Sequence, residues 1–71
     1  FPNPAHNYIQ TETPFGSTFQ WQILDMQGVK QYHGVHTGGR LQIDISKLSS
    51  GNYILLLQNK ENRYTQSFIK K

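Results

Sequence analysis

Turn signals recur through this chain at intervals of roughly nine residues, which leaves room for short strands and for little else. Pro2-Asn3-Pro4, Pro14-Phe15-Gly16-Ser17, Gln27-Gly28, Gly38-Gly39, Ser49-Ser50-Gly51 and the stretch 59–62 each punctuate the sequence. They do so through the fixed φ of proline, the freedom of glycine at positive φ, or a side chain that bonds its own backbone. No 3.6-residue apolar period appears between them. The pattern predicts an all-β chain, an antiparallel sandwich or barrel of about six or seven short strands.

The runs between the turns alternate as half-buried strands should. Phe19, Trp21 and Ile23 are separated by Gln20 and Gln22, and Leu41, Ile43 and Ile45 by Gln42 and Asp44, so each run has one core face. Residues 53–57 are apolar on both faces, which marks the most central strand. In the last run Tyr64, Gln66 and Phe68 share one face and Thr65, Ser67 and Ile69 the other; weaker strands are expected over 8–12 and 29–33. The expected core is Phe19, Trp21, Ile23, Leu41, Ile43, Ile45, Leu48, Tyr53, Leu55 and Leu57, with Tyr64 and Phe68 joining it as an aromatic pair at period two.

Such a core is small. At 71 residues the chain makes one domain and buries roughly 60% of its unfolded surface. It contains no cysteine, so neither a disulfide nor a thiolate metal cage can staple it, and a cysteine nucleophile is excluded. No apolar run has the length of a membrane-spanning helix. The chain begins at Phe1 without a methionine or a leader, which suggests a piece of something longer.

The chemistry of a catalytic or cofactor site is missing. His33 and His36 stand three apart, so in a strand they face opposite ways, and few carboxylates are near enough in sequence to complete a metal site. Glu12, Asp25, Asp44 and Glu61 are scattered over strand ends and outward positions, and no serine sits in a nucleophile pattern. The sequence therefore predicts no enzyme, no cofactor and no metal. Gly38-Gly39 precedes a strand rather than a helix, so it is not a phosphate loop, and only "NRYTQSFIKK" approximates a nucleic-acid surface; no nucleic-acid partner is expected.

Charge is unevenly placed. The net +3 lies entirely after Asn59, where Lys60, Arg63, Lys70 and Lys71 face only Glu61, while the remaining three cations and three carboxylates cancel. Steering toward an anionic partner would be concentrated there. Lys70 and Lys71, at the end of the chain, are expected to be exposed.

The most informative stretch is "DISKLSSGNYILLL", residues 44–57. Asp44, Ile45 and Ser46 end one strand, Leu48 drops into the end of the sandwich, Gly51 turns the backbone at positive φ, and Tyr53 opens the central strand with its ring buried and its hydroxyl near a polar partner. This stretch closely resembles the D-[IL]-S-x-L-x-x-G-x-Y-x-L-x-[IL] signature of the type A C-terminal sorting domains of type IX secretion. Three further landmarks fall in the family's order: "FPNPA" with Pro2, Asn3 and Pro4, "ILDMQG" with Asp25 and Gly28, and the closing "FIKK" with Lys70 and Lys71. The match spans essentially the whole chain. It departs where Leu24 replaces a usual tyrosine, where Val29 precedes Lys30 after the D-x-x-G glycine, and where Ser67 replaces a lysine often found before the final apolar pair.

The resemblance implies an immunoglobulin-like sandwich, residues 1–71, at the C-terminal end of a larger exported protein of Bacteroidota-type bacteria. It implies partners: an upstream cargo domain, translocon and shuttle components, and a sortase-like surface peptidase that removes the tag. It implies passage through the periplasm and the outer membrane to the surface or the medium. A second reading is an accessory sandwich of carbohydrate-binding or fibronectin-III type, displaying Trp21, Tyr32 or Tyr64 on one face. The sorting reading requires Trp21 and Tyr53 in the core.

Overall fold

The computed structural model describes residues 7–13 and 16–71. Among these residues there are six strands and no helix: β1 (Tyr8–Glu12), β2 (Thr18–Asp25), β3 (Lys30–Thr37), β4 (Arg40–Asp44), β5 (Gly51–Gln58) and β6 (Arg63–Lys70). They form two antiparallel sheets, a four-stranded one in the order β3-β2-β5-β6 and a two-stranded one pairing β1 with β4. The arrangement is compatible with an immunoglobulin-like sandwich. No helix among the described residues is long and apolar enough to cross a membrane.

The register explains which side of each strand became core. Ile23 pairs with Leu55 and Trp21 with Leu57 across β2 and β5, so the period-two apolar residues of both strands share one face. Ile9 opposite Ile43 presents the matching face of the small sheet. Between the sheets lies one cluster, built from Phe19, Ile23, Tyr53, Leu55, Leu57 and Phe68 on one side and Ile9, Leu41, Ile43, Ile45 and Leu48 on the other. Every residue expected in the core from the run patterns is buried except Trp21, which is half-buried against the cluster, and Tyr64, which is exposed.

Residues 53–57 form the inner strand they suggested, but their two faces differ in burial. Tyr53, Leu55 and Leu57 are enclosed, whereas Ile54 and Leu56 are only half-buried, on the face of the large sheet turned away from the small one. β3 runs on to Thr37, beyond the 29–33 expected. Its pairing with β2 carries Gly34 and His36 into the ladder opposite Trp21 and Phe19, and the His36 ring meets Phe19 edge-on at 5.8 Å. Long-range pairing thus carried the strand through Gly34, a residue depleted from strands.

The two sheets differ in width, and this decides the remaining inward positions. Strands lie about 4.8 Å apart, so two strands cover only about half of a four-stranded face. On the β6 side Tyr64 faces inward opposite Leu57 yet is 46% exposed, so the expected aromatic pair divides: Phe68 enters the core and Tyr64 lies beyond the edge of the small sheet. On the β3 side the gap is closed differently. The Trp21 indole lies across Gly34, where an added Cβ would come within 2.6 Å of the ring.

Two substitutions test this account. Gly34→Ala should displace the indole and destabilise the fold by about 1–3 kcal/mol through overpacking. Because Trp21 is the single tryptophan, its fluorescence should shift in the folded state, and an unchanged spectrum would contradict the contact. Gly51 holds φ at +153°, a conformation all but confined to glycine, so Gly51→Val should cost about 1–3 kcal/mol. A wild-type denaturation midpoint for that variant would contradict the turn geometry.

Candidate recognition surface

The signature residues are best understood by asking where their polar atoms go. Asp25 ends β2 and closes the β2–β3 hairpin twice over. Its backbone carbonyl accepts the Gly28 N–H at 3.0 Å, and its N–H donates to the Val29 carbonyl at 3.0 Å. Its carboxylate Oδ1 accepts the N–H groups of Gln27 and Val29, each at 2.9 Å, while Oδ2 accepts from the Gln31 amide at 3.0 Å. A short acceptor side chain at the first turn position and glycine at φ +85° three residues later are what this turn demands.

Asp44 plays the same part at the end of β4. Its Oδ1 accepts the Ser46 N–H at 2.9 Å. That backbone bond first, then the Ser46 side chain and the nearby Lys47 charge, holds the carboxyl below its ordinary value of 3.8. The Leu48 N–H donates to the Ile45 carbonyl at 3.0 Å, tightening a turn that drops Leu48 into the core. Gly51 then reverses the chain into β5. Tyr53, 7% exposed, donates its hydroxyl to the Ser49 carbonyl at 2.7 Å, and its ring stacks on Phe68 with centroids 5.7 Å apart. This tyrosine corner, which pins the crossover between the sheets, recurs in immunoglobulin-like sandwiches.

The match to known families agrees with this geometry. The family model of the secretion system C-terminal sorting domain matches residues 1–71, the whole chain. The chain belongs to the family of type IX secretion C-terminal sorting domains. No curated protein and no solved structure matches it. Membership carries a function in outline: a sorting signal that engages a secretion system and directs an attached cargo out of the cell.

In this sorting domain the signature positions Asp25, Gly28, Asp44, Leu48, Gly51 and Tyr53 are occupied by the fold itself, as turn acceptors, turn glycines, a core plug and a corner. Ser46 contributes its N–H to the Asp44 turn and is exposed. Pro2, Asn3 and Pro4 lie outside the described residues.

The basic end of the chain departs from expectation at one position. Lys71 is exposed, as its place suggests, but Lys70 is only 9% exposed. Strand parity is the reason: Lys70 lies two residues after Phe68 on the core-facing side of β6, opposite Gly51, which has no side chain to compete for the space. Its ammonium donates to the Lys71 carbonyl at 2.9 Å, so the aliphatic stem is packed while the head reaches the rim. The free cations of this region are therefore Lys60, Arg63 and Lys71, all exposed.

β6 presents the other recognisable surface. It forms one edge of the large sheet, and along its length only Phe68 and Lys70 are buried. Eight residues without proline, without an acidic side chain and without a register shift against β5 make a regular edge. The aromatic residues considered for a sugar platform do not share a surface, since Tyr64 is on β6 whereas Trp21 and Tyr32 are at the β3 side.

The two terminal lysines should now behave differently. Lys71→Ala should leave stability within about 0.5 kcal/mol of wild type, as surface changes do, whereas Lys70→Ala should cost about 1 kcal/mol through the lost stem packing and hydrogen bond. Chemical denaturation of the two variants separates them. Equal midpoints would contradict the inward placement of Lys70.

Proposed function

We propose that this domain stands at the C-terminal end of a larger exported protein and carries it through the type IX translocon across the outer membrane, without catalysing anything itself. The observation that carries the reading is the division of labour among the family's signature residues. Their polar atoms are consumed inside the fold, so they preserve a rigid carrier. What remains to be read by another protein is the exposed cationic surface of residues 60–71.

The net positive charge of residues 60–71 favours encounter with an anionic receptor surface. With the Lys70 head tied to the Lys71 carbonyl, Lys60, Arg63 and Lys71 carry that charge outward. On this reading the translocon and shuttle components bind the folded sandwich, and a sortase-like peptidase removes it at the surface. The cargo is then released to the medium or held at the surface.

Fusion tests the proposal directly. Placed after a periplasmic reporter in a bacterium with this secretion system, residues 1–71 with a short linker should bring the reporter to the surface or medium. Changing Lys60, Arg63 and Lys71 together to alanine should leave the domain folded and lower the exported fraction. Retention of the wild-type fusion in the periplasm, with the domain intact, would overturn the sorting role. Full export of the triple variant would remove the charge from the account.

A further inference from the structure

We infer that the outer face of the four-stranded sheet, the side turned away from β1 and β4, docks on an acidic protein surface, an inference that rests on the sorting reading only for where that partner is met. Recognition then extends across the whole sheet, beyond the cations of residues 60–71.

Strand alternation separates the charges of this sheet from its aromatic rings. Phe19, Trp21, Tyr32, Tyr53, Tyr64 and Phe68 all take the inward parity. The outward parity is traced by two rows that cross all four strands: Val35, Gln20, Gln58 and Arg63 form one, and Lys30, Leu24, Ile54 and Ser67 the other. Lys30 and Arg63 thus stand at opposite corners, on the two edge strands, while half-buried Leu24, Ile54 and Leu56 occupy the inner strands between them. No carboxylate of the six strands shares this face. Asp25 is spent on its own hairpin turn, and Glu12 and Asp44 belong to the small sheet.

Both corner cations are exposed and have no ion-pair partner among the described residues, since Lys30 lies opposite Leu24 and Arg63 opposite Gln58. Three strand spacings and four residues of strand put them about 20 Å apart, so no single small anion can answer both. Lys60 adds to the Arg63 corner, where Gln20, Val35, Gln58, Lys60 and Glu61 border a hollow of roughly 570 Å³. Glu61 is outnumbered there by Lys60 and Arg63.

The rest of the face decides the class of partner. Nucleic-acid strands and sugar chains stack on exposed rings, and the outer face offers them only the His33 imidazole. A bilayer needs apolar side chains that protrude, whereas Leu24, Ile54 and Leu56 are set among amides and hydroxyls. An apolar centre with charge confined to the rim is the anatomy of a protein interface. A second copy would set cations against cations. Strands of this length make a face of about 19 by 26 Å, on the order of 500 Å² and below the ~800 Å² per partner of a lasting complex, so the contact is transient.

The test places a photo-crosslinking amino acid in the periplasmic-reporter fusion, in the secreting bacterium, at Gln20 or Thr65 on the outer face or at Gln42 on the small sheet, all exposed positions. Gln20 and Thr65 should trap the same protein through a segment of net negative charge, and Gln42 should not trap it. Lys30→Glu leaves residues 60–71 intact; it should lower the adduct yield about tenfold, the size of a steering effect, at unchanged melting temperature, while Lys30→Arg keeps the full yield. Equal trapping from Gln42, a trapped segment without net negative charge, an adduct with nucleic acid, lipid or polysaccharide, full yield from Lys30→Glu, or no adduct at all would each overturn the inference. Retention of the unmodified fusion in the periplasm would count against the sorting reading instead, and the adducts formed there are scored by the same criteria.

Discussion

The hydrogen bond from the Tyr53 hydroxyl to the Ser49 carbonyl, 2.7 Å long, ties together the parts of this protein that would otherwise come apart. β4 belongs to the small sheet and β5 to the large one, and the chain crosses between them through residues 45–50. No disulfide can hold that crossing, since the chain has no cysteine. Tyr53 does so with one side chain, its ring stacked on Phe68 of the last strand and its hydroxyl holding the loop it has just left. Leu48 fills the end of the sandwich beneath it, and the Gly51 backbone makes the approach possible. A core of this size has little stability to spare, so a corner that joins loop, central strand and terminal strand has outsized weight.

That arrangement also explains how a sorting signal can have a recognisable sequence without displaying it. A carrier that must survive attachment to varied cargo needs residues that fix turns and register, and these are the residues whose side chains point at their own backbone. Asp25 and Asp44 each spend one carboxylate oxygen, Oδ1, on neighbouring backbone N–H groups. A motif can therefore be diagnostic of a family because its members hold turns and register, including those, such as Gly28, Asp44 and Ser46, that lie exposed. The exposed side chains of residues 60–71 contribute what a partner can touch: a local excess of positive charge.

The unequal widths of the sheets shape both flanks of the molecule. Toward β6 the large sheet extends past its cover and exposes Tyr64; toward β3 the gap becomes a groove lined by Trp21 and Tyr32. The far face of the large sheet is uncovered as well, with Leu24, Ile54 and Leu56 half-buried in a field of glutamine, threonine and serine. Polar neighbours across the ladder, such as Gln22 beside Leu56 and Ser67 beside Ile54, keep that face from becoming one continuous apolar patch.

The sequence by itself determined the strand content, the turns and almost all of the core, because each depends on local chemistry: a period of two, an acceptor side chain at a turn, a glycine where φ must be positive. It located the β4–Leu48–Gly51–Tyr53 unit and the partner-seeking hydroxyl of Tyr53 for the same reason. Only the tertiary structure decided how far the small sheet reaches, and with it the fates of residues whose pattern is identical. Tyr64 and Phe68 share a face of one strand, yet one is exposed and the other enclosed. Lys70 and Lys71 are neighbours of one type, yet strand parity and the empty space opposite Gly51 drew the first inward. Trp21 read as core or, with Tyr32, as a sugar contact, and the partial cover above them made both residues the walls of one groove, since alternation specifies which face a side chain takes but not whether anything is packed against it.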